Sequence, residues 1–325
     1  MEHSAVSSAA RERRVEDALF RGAGLTLDNA DYLRTLRAVM DVFLRVDLAP
    51  ADLTVEAMGL DGAPASAAIV ARESGVAGGL EELAYILRSF KVEAALEKSD
   101  SERVEPGDTL LRAAGPRARL LSLERAGLNL VQRMSGIATA TRALAQRARA
   151  GGGRARIVAT RKTPWSLLDK RAVHLGGAGT HRLGLSDAIL VKNNHLALLA
   201  EREEQAAPMA VERAWAQRAR AAFIEVEVRS LAAALAAAQT FARLQQTAAP
   251  AYPCLLMLDN MTAREAGRVV GALQREKLWD YALVEASGGI AAENVEEYAA
   301  CGVDAISVGA LTHSARALDI CQRIL

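Results

Sequence analysis

The residues best able to do chemistry fall at the ends of short apolar runs. Residues 157–160 lead into Arg161-Lys162, and 188–191 into Lys192-Asn193-Asn194-His195. Residues 223–228 carry Glu225 and Glu227 two apart, which puts both on one face of a strand. Residues 254–258 lead into Asp259-Asn260, 282–286 into Ser287-Gly288-Gly289, and 305–308 into Gly309 and then His313. From Arg161 to Lys192 six basic residues meet two acidic ones, a local +4 in a chain of net +1. A cationic wall opposite Glu227 and Asp259 suits an anionic substrate on one side and a metal-bound phosphate on the other. Ser287-Gly288-Gly289 and Gly309 offer unobstructed backbone N–H groups of the kind that hold phosphate.

Other polar residues read more plainly. Lys170 and Arg171 read as the solvated face of a helix at 167–175, with His174 structural and Trp165 a packing residue. His181-Arg182 follow Gly176-Gly177-Ala178-Gly179, a loop pliable enough to deliver both side chains inward. Glu225 reads as the buried partner of an arginine; Glu227, nearer the strand end, is the better functional candidate. His181, His195 and His313 lack the compact spacing of a zinc site, and Ser287 has no nucleophile-elbow motif around it.

The elements that must position these residues follow from periodicity. Residues 1–45 read as helical, broken at Gly22 and Gly24, with Asp28 as a helix N-cap and His3 in a tail. Residues 47 to about 120 read as an α+β segment, with strand-like runs at 67–71 and 109–113 and a helix at 81–90. One or two helices at 121–150 end in Gly151-Gly152-Gly153, a connector. Beyond Arg156, six strand-like runs alternate with helical stretches, which predicts a parallel sheet covered by helices. A closed barrel and an open doubly wound sheet are alike on this pattern. In either, ligands bind at the C-terminal strand ends, where the polar residues lie.

Composition removes whole classes of function. Of 325 residues, 51% are hydrophobic, too many for a disordered chain. Near-zero net charge and 4% aromatics argue against a nucleic-acid partner. No apolar run is long enough to span a membrane, and residues 1–14 have no secretory h-region, so a cytoplasmic location is expected. Cys254, Cys301 and Cys321 read as small hydrophobes in a reducing compartment, the last two in helix-like segments.

An ordered set of segments then carries a resemblance. Glu124-Arg125-Ala126-Gly127-Leu128-Asn129, Thr160-Arg161-Lys162-Thr163, His181-Arg182-Leu183-Gly184-Leu185, Lys192-Asn193-Asn194-His195, Glu225-Val226-Glu227-Val228, Leu258-Asp259-Asn260, Glu285-Ala286-Ser287-Gly288-Gly289-Ile290 and Val308-Gly309-Ala310-Leu311-Thr312-His313 occur in this order. Together, from about Asp47 onward, they resemble the quinolinate phosphoribosyltransferase family. The resemblance implies an α+β sandwich-like domain followed by an incomplete, about six-stranded parallel α/β barrel. The segmentation is then 1–45 helical, 46–136 N-terminal domain, 137–310 barrel, and 311–325 a last helix packing back on the N-terminal domain.

The implied reaction joins quinolinate to 5-phosphoribosyl-1-pyrophosphate with Mg²⁺ and no organic cofactor. It gives nicotinate mononucleotide, pyrophosphate and CO₂, a step of NAD biosynthesis. The resemblance assigns Arg161, Lys162, His181, Arg182 and Lys192 to the dicarboxylate pocket. Arg125 is supplied to the partner's site in a homodimer or larger assembly. It places Glu227 and Asp259 near ribose and metal. Asn193, His195, Ser287, Gly288, Gly289, Gly309 and His313 fall on the phosphoribosyl pyrophosphate. Lys162, Lys192, Glu227 and Asp259 are the candidate catalytic groups.

The chain departs from the family pattern in four places. Asn193 stands where Lys-Asp-Asn-His is usual, 161–181 is about two residues shorter, Ala178 interrupts a glycine run, and 227–259 is about ten residues longer. Three alternatives compete. A group encoded with molybdate transporters shares Thr-Arg-Lys-Thr but lacks the Lys-x-Asn-His element, against which Lys192 and His195 argue. A non-catalytic anion-binding paralogue draws support from Asn193 alone. A Schiff-base enzyme would use Lys162 or Lys192.

Overall fold

The protein is described from a computed structural model over residues 7–247 and 252–325; His3 and its predicted tail lie outside the described residues. Two compact units form. One comprises Gly22–Ala143, Lys162–Gly177 and Leu311–Leu325; the other comprises residues 7–21, Leu144–Arg161 and Ala178–Ala310, of which 248–251 lie outside the described residues.

The first unit is built on an antiparallel sheet with strand order Ile320–Ile324, Pro64–Ala71, Thr109–Pro116, Glu93–Leu96. Ile69 pairs with Leu111, and Ala67 with Ala113, so residues two apart stack on one face. That face packs Ile69, Ala71, Leu111 and Ala113 against Leu83, Leu87, Leu128 and Val131. Helix Ala30–Leu48 starts one residue later than expected. Asn29, not Asp28, is its N-cap, and its side chain accepts the N–H groups of Asp31 and Tyr32.

The C-terminus corrects the sequence reading. No helix forms after the short turn Ala310–His313; Ile320–Ile324 is a strand, and Cys321 with it. Five residues gain little from helical bonds, whereas the free edge of Pro64–Ala71 offers a full ladder. Ala67 pairs with Ile324 and Ala71 with Ile320.

The second unit is a six-stranded parallel sheet in the order Arg156–Val158, Ala305–Ser307, Leu283–Ser287, Cys254–Asp259, Ile224–Val228, Ile189–Val191. Each strand contributes at least one residue to, or next to, a common apolar layer: Val158, Ala188, Phe223, Leu255, Leu283 and Ala305 form one cluster. The sheet therefore curls on itself as an α/β barrel, open between its first and second strands in chain order. Beside that opening Gly179 bonds alongside Val158: its N–H donates to Ile157 O at 2.9 Å and its carbonyl accepts from Ala159 at 2.8 Å. A Cβ at Gly179 would lie 2.8 Å from Val158 and 2.9 Å from Leu19 O, so only glycine fits.

Helix Ser8–Leu19 belongs to this unit. Val15, Ala18 and Leu19 join the same apolar layer and close the barrel at the N-terminal ends of its strands. Arg11, 1% exposed, forks onto Asp304 at 2.7 and 2.6 Å and donates to the carbonyls of Trp279 and Ala282.

Candidate active site

Inward-facing residues alternate along each barrel strand. Beyond the apolar layer come Glu225 and then Glu227 on Ile224–Val228, Glu285 and then Ser287 on Leu283–Ser287, Asp259 at the end of Cys254–Asp259, and Ser307 at the end of Ala305–Ser307. Glu227 and Glu285 both lie level with Met257, and Ser287 lies level with Asp259. Ser307 Oγ donates to Ser287 Oγ at 2.8 Å across the barrel lining. The predicted residues Arg161, Arg182, Lys192, Asn193, His195, Glu227, Asp259, Ser287, Gly288, Gly289 and Gly309 thus all belong to one unit, at the C-terminal strand ends or the loops that follow. Arg125, Lys162 and His313 belong to the other unit. There Arg125 is exposed on the first turn of Glu124–Ala150, and Lys162 O accepts from Thr312 Oγ1 at 2.9 Å. His313 Nδ1 lies 2.6 Å from Ser314 Oγ.

The acids are held by neighbours. Glu227 Oε1 accepts the Asn193 N–H at 3.3 Å, and Asp259 Oδ2 accepts from Arg229 Nε at 3.1 Å. Asn193 uses its own Oδ1 to accept the N–H of Asn194 at 2.8 Å, opening the short helix Asn193–Leu196. His195 Nδ1 accepts the Lys192 N–H at 2.8 Å, which fixes the loop that carries Lys192. Gly288 has φ +92°, and a Cβ there would strike the Asn260 side chain. Asn260, itself at φ +56°, donates its N–H to Ser287 O at 2.8 Å. The result is a tight, side-chain-free turn beside Asp259.

Arg182 is buried, and its Nε has no hydrogen-bond partner. Burial lowers its pKa, and the neighbouring Arg161 charge lowers it further. Two guanidiniums therefore press on each other where a compact anion would relieve both.

His181, predicted for the dicarboxylate pocket, is turned toward two buried acids. Its Nε2 lies 2.9 Å from Glu225 Oε2 and 3.3 Å from Glu285 Oε2, with all three side chains buried. Burial opposes its protonation, but the charges of Glu285 and Glu225 outweigh this and lift its pKa to about 9. Burial, followed by the Glu285 charge, pushes Glu225 up to about 7. Glu225 is thus the partner of a histidine, not of an arginine as the sequence suggested. Glu285 was missed as a functional residue, although the same period-two reading of 283–287 that found Glu225 and Glu227 would have found it. Arg229, one residue past the strand end, was also missed.

Lys170 and Arg171 are corrected too. Both are buried, at 1% and 8% exposure. Arg171 lies 3.6 Å from Glu81 and 4.0 Å from Glu82, acidic residues too distant in sequence for a local reading to supply. Trp165 packs as expected, its ring 5.2 Å from Phe43 and under the Arg133 guanidinium.

Two family descriptions match: the quinolinate phosphoribosyl transferase N-terminal domain over residues 52–135 and the C-terminal domain over 137–322. A probable carboxylating nicotinate-nucleotide pyrophosphorylase of Methanothermobacter thermautotrophicus is 37% identical, over 88% of this chain and 99% of its own length. The carboxylating nicotinate-nucleotide pyrophosphorylase of Mycobacterium leprae is also 37% identical, over 88% and 94%. The solved structure of NadC from Streptococcus pyogenes superposes with TM-score 0.75 at 31% identity, covering 89% of this chain and 96% of that one. With both domains matched in order and relatives aligned over nearly their whole length, this chain belongs to the quinolinate phosphoribosyltransferase family.

Proposed function

We propose that this protein is a carboxylating nicotinate-nucleotide pyrophosphorylase, a pentosyltransferase that moves the phosphoribosyl group of 5-phosphoribosyl-1-pyrophosphate onto quinolinate with loss of CO₂. The observation that carries the reading is the mutually repelling pair Arg161 and Arg182, the second with a buried, unsatisfied Nε. Quinolinate is a rigid dianion with adjacent carboxylates, and planar guanidiniums suit it. Lys192 adds a third cation. The family resemblance adds Lys162 and, from a second copy of the chain, the exposed Arg125.

The order of events follows from charge. Lys192 offsets the leaving pyrophosphate, and the N–H groups around Ser287, Gly288, Gly289 and Gly309, with His195 and His313, hold phosphate oxygens. As the C1–O bond breaks, positive charge grows on the ribosyl carbon, and Glu227 and Asp259 face that charge. The pyridine nitrogen of quinolinate then bonds to C1. Its ring becomes cationic and stabilises the electron pair left on the adjacent carbon when the neighbouring carboxylate departs as CO₂; that carbon then takes a proton from water. Glu227 and Asp259 supply the hard oxygen donors that fit Mg²⁺. That ion, when bound, would offset the charge of the pyrophosphate. Asn193 makes through Oδ1 the same turn bond an aspartate would, so the loop survives the loss of that charge.

A homodimer and a cytoplasmic location complete the reading; the three unpaired cysteines support the second. Among the described residues no helix is long and apolar enough to cross a membrane.

The test is direct. Purified protein is incubated with quinolinate, phosphoribosyl pyrophosphate and Mg²⁺, and nicotinate mononucleotide is followed by mass spectrometry. Product from quinolinate but not from nicotinate is expected. A folded protein that binds quinolinate and yields no product would point to Asn193.

A further inference from the structure

His181, which the resemblance gave to the dicarboxylate pocket, stands against two buried acids, Glu225 and Glu285, that have no assigned part in the reaction. The three residues are 4%, 0% and 0% exposed. Both ring nitrogens of His181 face groups of the chain itself, although Nε2 meets its carboxylates at ion-pair distance and not in an aligned hydrogen bond. Nε2 faces the two carboxylates at 2.9 and 3.3 Å, and Nδ1 accepts the Arg182 N–H at 2.8 Å. Neither nitrogen is left to meet a substrate.

The backbone adds a second observation. His181 has φ +55°, the left-handed region that a bulky residue enters only when its surroundings force it. Those surroundings are visible. The His181 N–H donates to Leu19 O at 2.9 Å, and the ring stands edge-on to Phe223 at 5.4 Å. The left-handed turn sets the direction of the next residue, Arg182. Its far end donates from Nη1 to Ala188 O at 3.3 Å and is drawn by the charges of Glu225 and Asp187, while Arg161 repels it. Without the turn, that repulsion would swing Arg182 away from Arg161.

We propose that His181 is a positioning residue, not a substrate ligand. Clamped between Glu225 and Glu285, it holds the turn that keeps Arg182 beside Arg161 for the substrate carboxylates. The two buried acids also supply the negative charge that lets two guanidiniums stay together before substrate arrives. This inference rests on the quinolinate reading above.

The experiment measures quinolinate and phosphoribosyl pyrophosphate binding by calorimetry, and kcat and KM, for the parent and four variants. Glu225→Gln and Glu285→Gln keep side-chain shape and remove charge. His181→Ala removes the clamp. His181→Asn keeps a short acceptor and tolerates the left-handed turn. Quinolinate affinity should fall about tenfold or more in the two glutamine variants and about 100-fold in His181→Ala, on the scale of a lost charged contact. Phosphoribosyl pyrophosphate affinity should stay within about twofold, since the donors that hold it are untouched. His181→Asn should recover most of the loss. If instead His181 touched substrate, His181→Asn would fail as badly as His181→Ala, and the proposal would be overturned. Parent-like quinolinate affinity in both glutamine variants would overturn it too, as would a divalent metal co-purifying at one per chain and lost in Glu285→Gln. Should any glutamine variant not fold, the His181→Asn and His181→Ala comparison still decides. A parent that neither binds nor converts quinolinate would refute the functional reading itself, which separates that failure from this one.

Discussion

Arg11→Ala tests the claim that the N-terminal helix is a working part of the barrel. The guanidinium makes four hydrogen bonds of 2.6–2.8 Å, two to Asp304 and one each to the carbonyls of Trp279 and Ala282. It also stacks 3.5 Å over the Trp279 ring. Removing it leaves Asp304 buried, with the Val284 N–H at 2.8 Å and Arg154 at 3.5 Å as its remaining partners. Breaking a buried pair by deleting one member costs about 3–5 kcal/mol. Arg154 is 30% exposed and close enough to move toward Asp304, so the lower end applies. A loss of about 3 kcal/mol corresponds to roughly 6–12 °C in a unit of this size. Thermal unfolding by calorimetry at fixed pH reads it, with Asp304→Asn and the double variant closing a cycle. The two single losses should exceed the double loss by over about 1 kcal/mol, as expected for residues in direct contact. Turnover at room temperature should hold within about twofold, because Arg11 meets the end of the barrel opposite the catalytic strand ends. A shift under about 1 °C, or no coupling in the cycle, would refute the argument.

The other predictions concern the site and the first unit. Arg161→Ala and Arg182→Ala should each lower kcat/KM for quinolinate about 100-fold or more, read by initial rates. Nicotinate, with one carboxylate, should be used at least about a thousandfold less well than quinolinate in the same assay, because one guanidinium of the pair is left without its acceptor. Asn193→Asp should keep the loop and lower the Mg²⁺ concentration needed for half-maximal rate, read by a magnesium titration. Asp100 is held by burial, and then by the Glu82 charge, at a pKa raised from 3.8 to about 7. A raised folded-state value means that its contribution to stability is complete below about pH 3.8 and is lost as pH climbs through about 7. Asp100→Asn keeps an acceptor for the Leu80 N–H, so it should resist urea better than the parent at pH 8 and no better at pH 4.

Local pattern revealed what local forces decide. The six barrel strands were legible because each is a short buried apolar run closed by polar or glycine residues, and helix Leu167–Leu175 because its apolar positions recur at helical spacing. What escaped depends on partners far along the chain. Ile320–Ile324 becomes a strand because the edge at Pro64–Ala71 is open to it. Arg171 is buried because Glu81 and Glu82 meet it. Residues 1–45 look like one helical segment, yet Ser8–Leu19 joins the barrel and Ala30–Leu48 the other unit, since Arg11 finds its carboxylate at Asp304. At the site, residue types and strand ends were readable. The direction of His181 was not, because a positive φ leaves no trace in periodicity.

The barrel interior explains why a dianion, and not a lone carboxylate, fits this site. Helix Ser8–Leu19 seals the apolar layer beneath, so the charges above it have no water on that side. Burial is then the first influence on His181, Glu225 and Arg182 alike, and each answers through a charged neighbour. His181 and the two glutamates offset one another's charge at ion-pair distance. Arg161 and Arg182 do not: they repel, and the Arg182 Nε lacks an acceptor. A ligand with one negative group can relieve one guanidinium and leaves the charge of the other unpaired. A ligand with two adjacent carboxylates relieves both, and its rigidity spares the entropy of arranging them. On the proposed reading, the Arg182 Nε that lacks an acceptor beside a second guanidinium is itself a template for quinolinate. It also prepares the chemistry: once the pyridine nitrogen turns cationic, loss of the adjacent carboxylate removes the feature that the arginines hold most strongly, and the product is bound less tightly than the substrate.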